Sequence, residues 1–518
     1  MIRKITALIL ALMLIAAFSA GAEAGQMGEY VGEYAAEATL WFRRSDGMEL
    51  TSVDRTLVVA EGKTPERCAL EALLHPTGED WISPVPQGTQ LTRLERSGGI
   101  VTVDLAVDLS YLESQQELAL MRTAICNTLL SLEGVDAVNL MLNSRKEAIC
   151  GLPDGVATEK DAGAAVEWAR FQADAERCAQ EGGLSQRWAV LYFPSQNGLW
   201  LLPELREISI SEGDSAARLM EEIITGPARE GTSARLLTVG ALASEPTIEI
   251  TPEGERIVRI SLSASVRDSL LLQGTPEWLL SAAISMTVCS FLPEVDGLTI
   301  TLGEEPVFGA NIRGANRIFE DNIIRRQDFS MYMGGICQLR LDDGGGNLTL
   351  VERVTSSARA ESPWHILQQL IAGPTSGENG VFQVTPAGVS TQDLLGVRVE
   401  NGTATVNFSA NFYRLCQPLN PRQERMLVYA IVNTLCQLPP VKAVCIRIEG
   451  AEVETLAGEI SLTGELLPSP GMNAFGKKQK ESPLNRSDSE GIFVLSAGFP
   501  FPECGLPAFP AAVCWFPA

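Results

Sequence analysis

Apolar and polar positions follow one pattern that recurs three times, near residues 37–147, 187–305 and 328–455. Each copy opens on an apolar strand and a tight turn. Thr39–Phe42 precedes Asp46-Gly47, Val190–Phe193 precedes Asn197-Gly198, and in the third copy Phe329–Met333 and Cys337–Leu341 read as strand ahead of Asp343-Gly344. Asp-Gly and Asn-Gly between apolar runs predict hairpins, because both residues tolerate positive φ. A helix start follows each time, at Thr64-Pro65-Glu66, Asp214-Ser215 and Ser362-Pro363, where a side-chain oxygen can cap free amides. The helical spacing continues through Ala216, Leu219, Met220, Ile223 and through Ile366, Leu367, Leu370, Ile371, which predicts one buried face. Gly226-Pro227 and Gly373-Pro374 predict the stops, with glycine in the left-handed conformation, whereas the first copy has His75-Pro76.

A second hairpin turns at Gly98-Gly99, Glu253-Gly254 and Asn401-Gly402, and its return strand alternates strictly, as in Val103, Leu105, Val107 and in Val406, Phe408, Ala410. A last helix starts at Ser114, Thr275-Pro276 or Asn420-Pro421. It carries a shared segment: Ala124, Ile125, Thr128; Ala283, Ile284, Thr287; Ala430, Ile431, Thr434. A closing strand completes the copy at Val138–Leu142, Leu298–Leu302 or Val444–Ile448. The predicted fold is α+β: three tandem two-layer domains, each strand-strand-helix-strand-strand-helix-strand with helices packed on one sheet. Residues 148–186 read as a helical linker and 306–327 as a second linker, locally basic through Arg313, Arg317, Arg325 and Arg326. Residues 465–518 read as a Pro-rich, mostly disordered tail.

Residues 1–24 add an address. Arg3 and Lys4 precede an uncharged apolar run that ends at Ala22-Glu23-Ala24, the order of a Sec-type signal peptide cleaved after Ala24. The protein is therefore expected outside the cytoplasm, on the outer face of the membrane or in the cell wall. With 40 Lys and Arg against 64 Asp and Glu, a net charge of −24 argues against nucleic acid as a partner. Only 2 histidines, His75 and His365, leave little material for a multi-histidine metal site. The 11 cysteines contain no C-x-x-C pair, and Cys126, Cys289 and Cys436 lie in apolar helical runs as small buried hydrophobes.

The order of an L-Y-F strand (Leu191-Tyr192-Phe193), a helix ending Ile223-Ile224-Thr225-Gly226-Pro227, a V-N-F-S strand (Val406-Asn407-Phe408-Ser409) and a T-L helix (Thr434-Leu435) resembles the GerMN domain family of sporulation and spore germination proteins. The resemblance runs through all three copies. It implies an exported, non-enzymatic protein of a Gram-positive bacterium that acts by protein contact in the envelope. The partners it implies are envelope or sporulation proteins, with self-association through the domain sheets and peptidoglycan contact as candidate interactions. The alternative readings are a cell-wall glycan-binding module and, behind it, a wall hydrolase.

Within the repeat, no residue set reads as catalytic, cofactor-binding or metal-binding. The outward column of the alternating strand is Asp104, Ser261 and Asn407, whose shared small polar character fits a solvated strand face. Asp342-Asp343-Gly344-Gly345-Gly346-Asn347 lacks the spacing and closing glutamate of a calcium loop and falls where the other copies turn. Ser263 and Ser409 lack a glycine elbow and a His-Asp set. Trp41, Trp200, Trp278 and Trp364 read as packing aromatics; a surface patch of them would favour glycan binding.

Overall fold

A computed structural model of the chain describes residues 29–474, apart from 32–33, 45–48, 61–62, 78–80, 154, 159–167, 181–184 and 212–213. The signal segment 1–24, the Asp46-Gly47 turn and the tail from 475 lie outside the described residues. The element order read from the pattern is present in each unit. In the first, Tyr34–Arg44 pairs antiparallel with Leu50–Val59, followed by helix Pro65–Leu74. Gln90–Ser97 then pairs antiparallel with Ile100–Ala106, helix Gln115–Leu130 crosses over, and Ala137–Leu142 returns parallel to Ile100–Ala106. The second unit repeats this through Ser185–Pro194, Leu201–Ile210, Ser215–Thr225, Thr247–Ile250, Arg256–Leu262, Glu277–Cys289 and Gly297–Leu302. The third does so through Gly334–Asp342, Leu348–Ser356, Pro363–Ala372, Leu394–Glu400, Thr403–Phe408, Pro421–Leu435 and Ala443–Ile448.

The five strands of a unit do not join in one sheet. The opening hairpin stands apart from the three strands that follow. The last helix lies against its first strand, and the helix threonine takes the place of a neighbouring strand: Trp41, Tyr192 and Arg340 donate their backbone N–H to Thr128, Thr287 and Thr434 Oγ1 at 3.1, 3.0 and 3.0 Å. In the first two units the middle of this helix is enclosed on all sides rather than on one face, whereas in the third Arg422, Gln423 and Arg425 stay exposed. Every residue from Leu118 to Leu129 and from Trp278 to Cys289 is buried.

Most of the predicted caps form. Thr64 and Ser362 accept from Arg67 and His365 N–H, Glu117 accepts from Glu113 N–H, and Asn420 exchanges bonds with Gln423. Asp214 makes no cap bond to its helix and accepts from Ser211 Oγ instead. Helix Glu277–Cys289 is preceded by Pro276, with no side-chain cap. Gly226 and Gly373 have φ of 87° and 73° but ψ of 177° and −168°, so they occupy the positive-φ extended region, not the left-handed helical one. A short helical segment that the pattern did not reveal sits between the alternating strand and the last helix: Leu109–Tyr111, Ser265–Gln273 and Ala410–Cys416.

Apolar side chains gather into three large cores, one per unit. Phe329–Met333, read from sequence as strand, is instead a 3₁₀ turn over Ser330–Tyr332. Phe329 stacks on Trp278, ring centres 6.4 Å apart, and is captured by the second core. The segments that follow each closing strand fold back on it. Ala157 pairs antiparallel with Val138, Ile324 with Leu298, and Leu466 with Val444, each at the same position of its unit. Residues 465–474, read as the start of the tail, thus complete the third unit, and Asn433 fixes them by bonding Ser469 N–H and C=O.

The units also contact one another. Arg145 pairs with Asp296 at 3.0 Å between the first and second. Between the first and third, Ser97 Oγ donates to Gly334 O at 2.9 Å, and Arg96 lies between Glu66 at 2.7 Å and Glu361 at 3.8 Å. Glu29–Val31 pairs parallel with Val397–Val399 on the edge of the third sheet.

Candidate functional site

The polar positions that recur from unit to unit are the first place to seek chemistry. In the alternating strand, Asp104 is only 4% exposed, so the solvated face expected there is not what forms. Its Oδ1 and Oδ2 accept from Ser144 N–H at 2.9 Å and Ser144 Oγ at 2.7 Å. Asn407 Oδ1 accepts from Gly450 N–H at 2.7 Å. Both therefore cap the turn after the closing strand, where Asn143, Ser144, Glu449 and Gly450 all have positive φ. Ser261 is half-buried, and its backbone carbonyl accepts from Ala243 N–H. Two of the three positions serve the turn, and the column's members share no reaction geometry.

A second recurring device escaped the sequence reading. Arg206 and Arg353, each on the second strand of its unit, reach the carbonyl that ends the next helix: Arg206 to Gly226 O, and Arg353 to Gly373 O at 2.6 Å. Carboxylates also hold the guanidinium groups, Glu222 at 3.1 Å from Arg206 and Glu378 at 2.8 Å from Arg353. The cation sits where the helix dipole is negative. The signal was present in the spacing, since each arginine precedes its helix-ending glycine by the same interval.

Two cavities border these devices. One, of about 560 Å³, is lined by Cys337, Arg353, Arg359, His365, Gln369 and Glu378, among others. Its groups do not form a reactive set. Burial pushes the Cys337 thiol up to about 12, leaving it protonated at neutral pH. Burial first and Arg359 second push His365 below its ordinary value, and Arg353 holds the Glu378 carboxyl below its own. The other cavity, of about 360 Å³, lies where Arg93, Asp104 and Ser144 of the first unit meet Arg326, Gln327 and Ser330 ahead of the third.

The remaining candidates resolve into local structure. Ser409 donates to Asp393 at 2.6 Å and caps its helix by accepting from Phe412 N–H; Ser263 shares a hydrogen bond with Ser265. The Asp342–Asn347 segment closes on itself, Asp342 accepting from Gly344 N–H and Asp343 from Gly345 and Asn347 N–H. His75 is the exposed C-cap of the first helix, in a different unit from His365. Trp278 is core, Trp364 packs on the third core, Trp41 packs beside Leu120 and Ala124, and Arg313 covers Trp200. The 9 described cysteines are free, and burial pushes Cys289 and Cys416 up to about 12. Among the described residues no helix is long and apolar enough to cross a membrane.

The model of the family described as "Germane: Sporulation and spore germination" matches residues 39–147 and 341–454. No curated protein matches the chain. Among solved structures, the chain is similar to the tandem GerMN domains of the sporulation protein GerM from Bacillus subtilis, at 14% identity over 56% of this chain and 99% of that one, with a TM-score of 0.24. It is also similar to the first GerMN domain of that protein, at 24% identity over 26% of this chain and 96% of that one, with a TM-score of 0.20. The first and third units are thus the parts of this chain that match the Germane family of sporulation and spore germination proteins.

Proposed function

We propose that the protein is an exported, non-enzymatic scaffold of the cell envelope that acts in sporulation or spore germination of a Gram-positive bacterium. The observation that carries this reading is the use made of the recurring polar residues. Asp104 and Asn407 cap turns, Thr128, Thr287 and Thr434 fix helices to strands, and Arg206 and Arg353 close helix ends. What the repeat preserves is architecture, and a tandem array of such units offers several sheet and helix faces to other proteins. The apolar run before Ala22-Glu23-Ala24 supplies the route outside the cytoplasm. Its partners are exported envelope proteins. Proximity labelling from the full chain in sporulating cells of its host is expected to return them, and their absence in replicate experiments with an expressed, exported fusion would overturn the proposal.

A further inference from the structure

The four arginines of the second connector are used unequally. Arg313 lies over Trp200 with its guanidinium carbon 4.2 Å from the ring centre, Arg317 pairs with Asp328 at 2.6 Å, and Arg325 pairs with Glu255 at 2.7 Å. Arg326 is 3% exposed, the most deeply placed of the group, and it forms no ion pair among the described residues. Its Nε donates to Ser290 Oγ at 2.8 Å, and its Nη2 has no acceptor. A buried guanidinium without a counter-charge is strongly unfavourable unless an acceptor reaches it, because it has given up its hydration for nothing.

Arg326 borders the 360 Å³ cavity, and so does Arg93, whose Nε also lacks an acceptor. The other Arg93 nitrogens donate to Ser330 Oγ and Glu95. The carboxylates that line or adjoin the cavity are already committed, while Glu95, which pairs with Arg93 and keeps one buried oxygen without a partner, does not line it. Asp104 lines the cavity, but both its oxygens accept from Ser144. Asp296 takes Arg145 and the Arg256 N–H, and Asp328 takes Arg317 and the Arg325 N–H. Both unmet groups on residues lining the cavity are donors, and hydroxyls of Thr92, Ser144 and Ser330 line the remaining wall. What fits is a small, negatively charged acceptor.

The geometry points to an oxyanion-binding site in this cavity, in which Arg326 and Arg93 hold a carboxylate or phosphate group at the junction of the first unit with the turn leading into the third. Guanidinium groups suit such ligands because their planar N–H fork matches two oxygens at once. The bound anion would join two units whose cores are otherwise separate, so occupancy would stiffen the junction.

The test is calorimetric titration of the protein with inorganic phosphate and, separately, with succinate, at ionic strength held constant with sodium chloride. Saturable one-to-one binding of at least one probe is expected. Phosphate alone would assign a phosphate ligand, and succinate alone a carboxylate. Affinity should fall by about tenfold or more in Arg326→Gln, which removes the charge-assisted bonds. It should fall comparably in Ala106→Met, which fills the cavity without altering charge. If Arg326→Gln does not fold, Ala106→Met decides. Absence of saturable binding of both probes to the unaltered protein overturns the site, as does unchanged affinity in folded Ala106→Met.

Discussion

The first helix of the first unit ends differently from its counterparts in the second and third. In the latter two, a glycine at positive φ breaks the helix, a proline follows, and a strand arginine closes the last carbonyl. In the first unit the helix ends at His75, with φ of −126°. Arg55 stands at the corresponding interval before it, half-buried, and no bond between the two is present. The threonine that fixes the last helix to the first strand is, by contrast, the same in all three. Some parts of the unit are therefore replaceable and others are not. A helix end at the surface can be closed by water or by another residue, whereas a strand N–H facing a buried helix has no other acceptor within reach.

Removal of the arginine should separate the two kinds of helix end most clearly. Arg353→Met leaves Glu378 and the Gly373 carbonyl without their partner and is expected to cost the third unit about 3 kcal/mol. Arg55→Met in the first unit should cost no more than about 0.5 kcal/mol. Amide exchange resolved by unit checks both, and equal losses would show that the first helix end uses the same strap. Next, Thr287→Val keeps the volume but strands the Tyr192 N–H in a fully buried site, with an expected loss of about 2 kcal/mol and faster exchange of that amide. Thr128→Val and Thr434→Val should weaken their units in the same direction. If none of the three moves the exchange rate, the threonine bond is not what fixes the helix.

Gly226→Ala should cost about 1.5 kcal/mol, because its φ of 87° and ψ of 177° are strained for any residue with a Cβ and the new atom would meet the Arg235 side chain at 2.9 Å. The matching change at the first helix end, His75→Ala, carries no such backbone cost. Melting of the two variants side by side separates conformational strain from lost contacts.

The smallest effect concerns the contact between first and third units. Burial pushes the Glu361 carboxyl up to about 7, with Arg96 opposing the shift and Glu66 adding to it. A carboxyl raised in the native state binds its proton more tightly folded than unfolded. Its contribution is therefore complete below its ordinary value of 4.5, falls as pH rises, and is gone above about 7. Since the side chain keeps 34% of its surface, the change is set at about 1 kcal/mol after solvent screening. Glu361→Gln should flatten stability between pH 4.5 and 7 and leave the protein no less stable than the parent at pH 8. A persistent slope in that variant would place the titrating group elsewhere.

Much of each unit was legible because its signals are local. Asn401-Gly402 makes a turn because two adjacent residues accept positive φ, and Asn420 with Gln423 starts a helix by bonds within four residues. The same locality explains the errors. Phe329–Met333 looks like strand in isolation, and only the nearby Trp278 ring and the second core turn it into a 3₁₀ segment. Asp104 looks like a solvent-facing residue until the turn at Ser144 folds over it.

The threefold repeat, the order of strands and helices and most of their ends follow from the amino-acid order alone, since periodicity and capping act over a few residues. Tertiary structure decided the division of five strands between two sheets, the enclosure of the last helix, the contacts between units and the cavity at Arg326. Those depend on which groups lose water together, and the residues concerned, such as Arg93 and Ser330 or Arg96 and Glu361, lie more than two hundred positions apart in the chain.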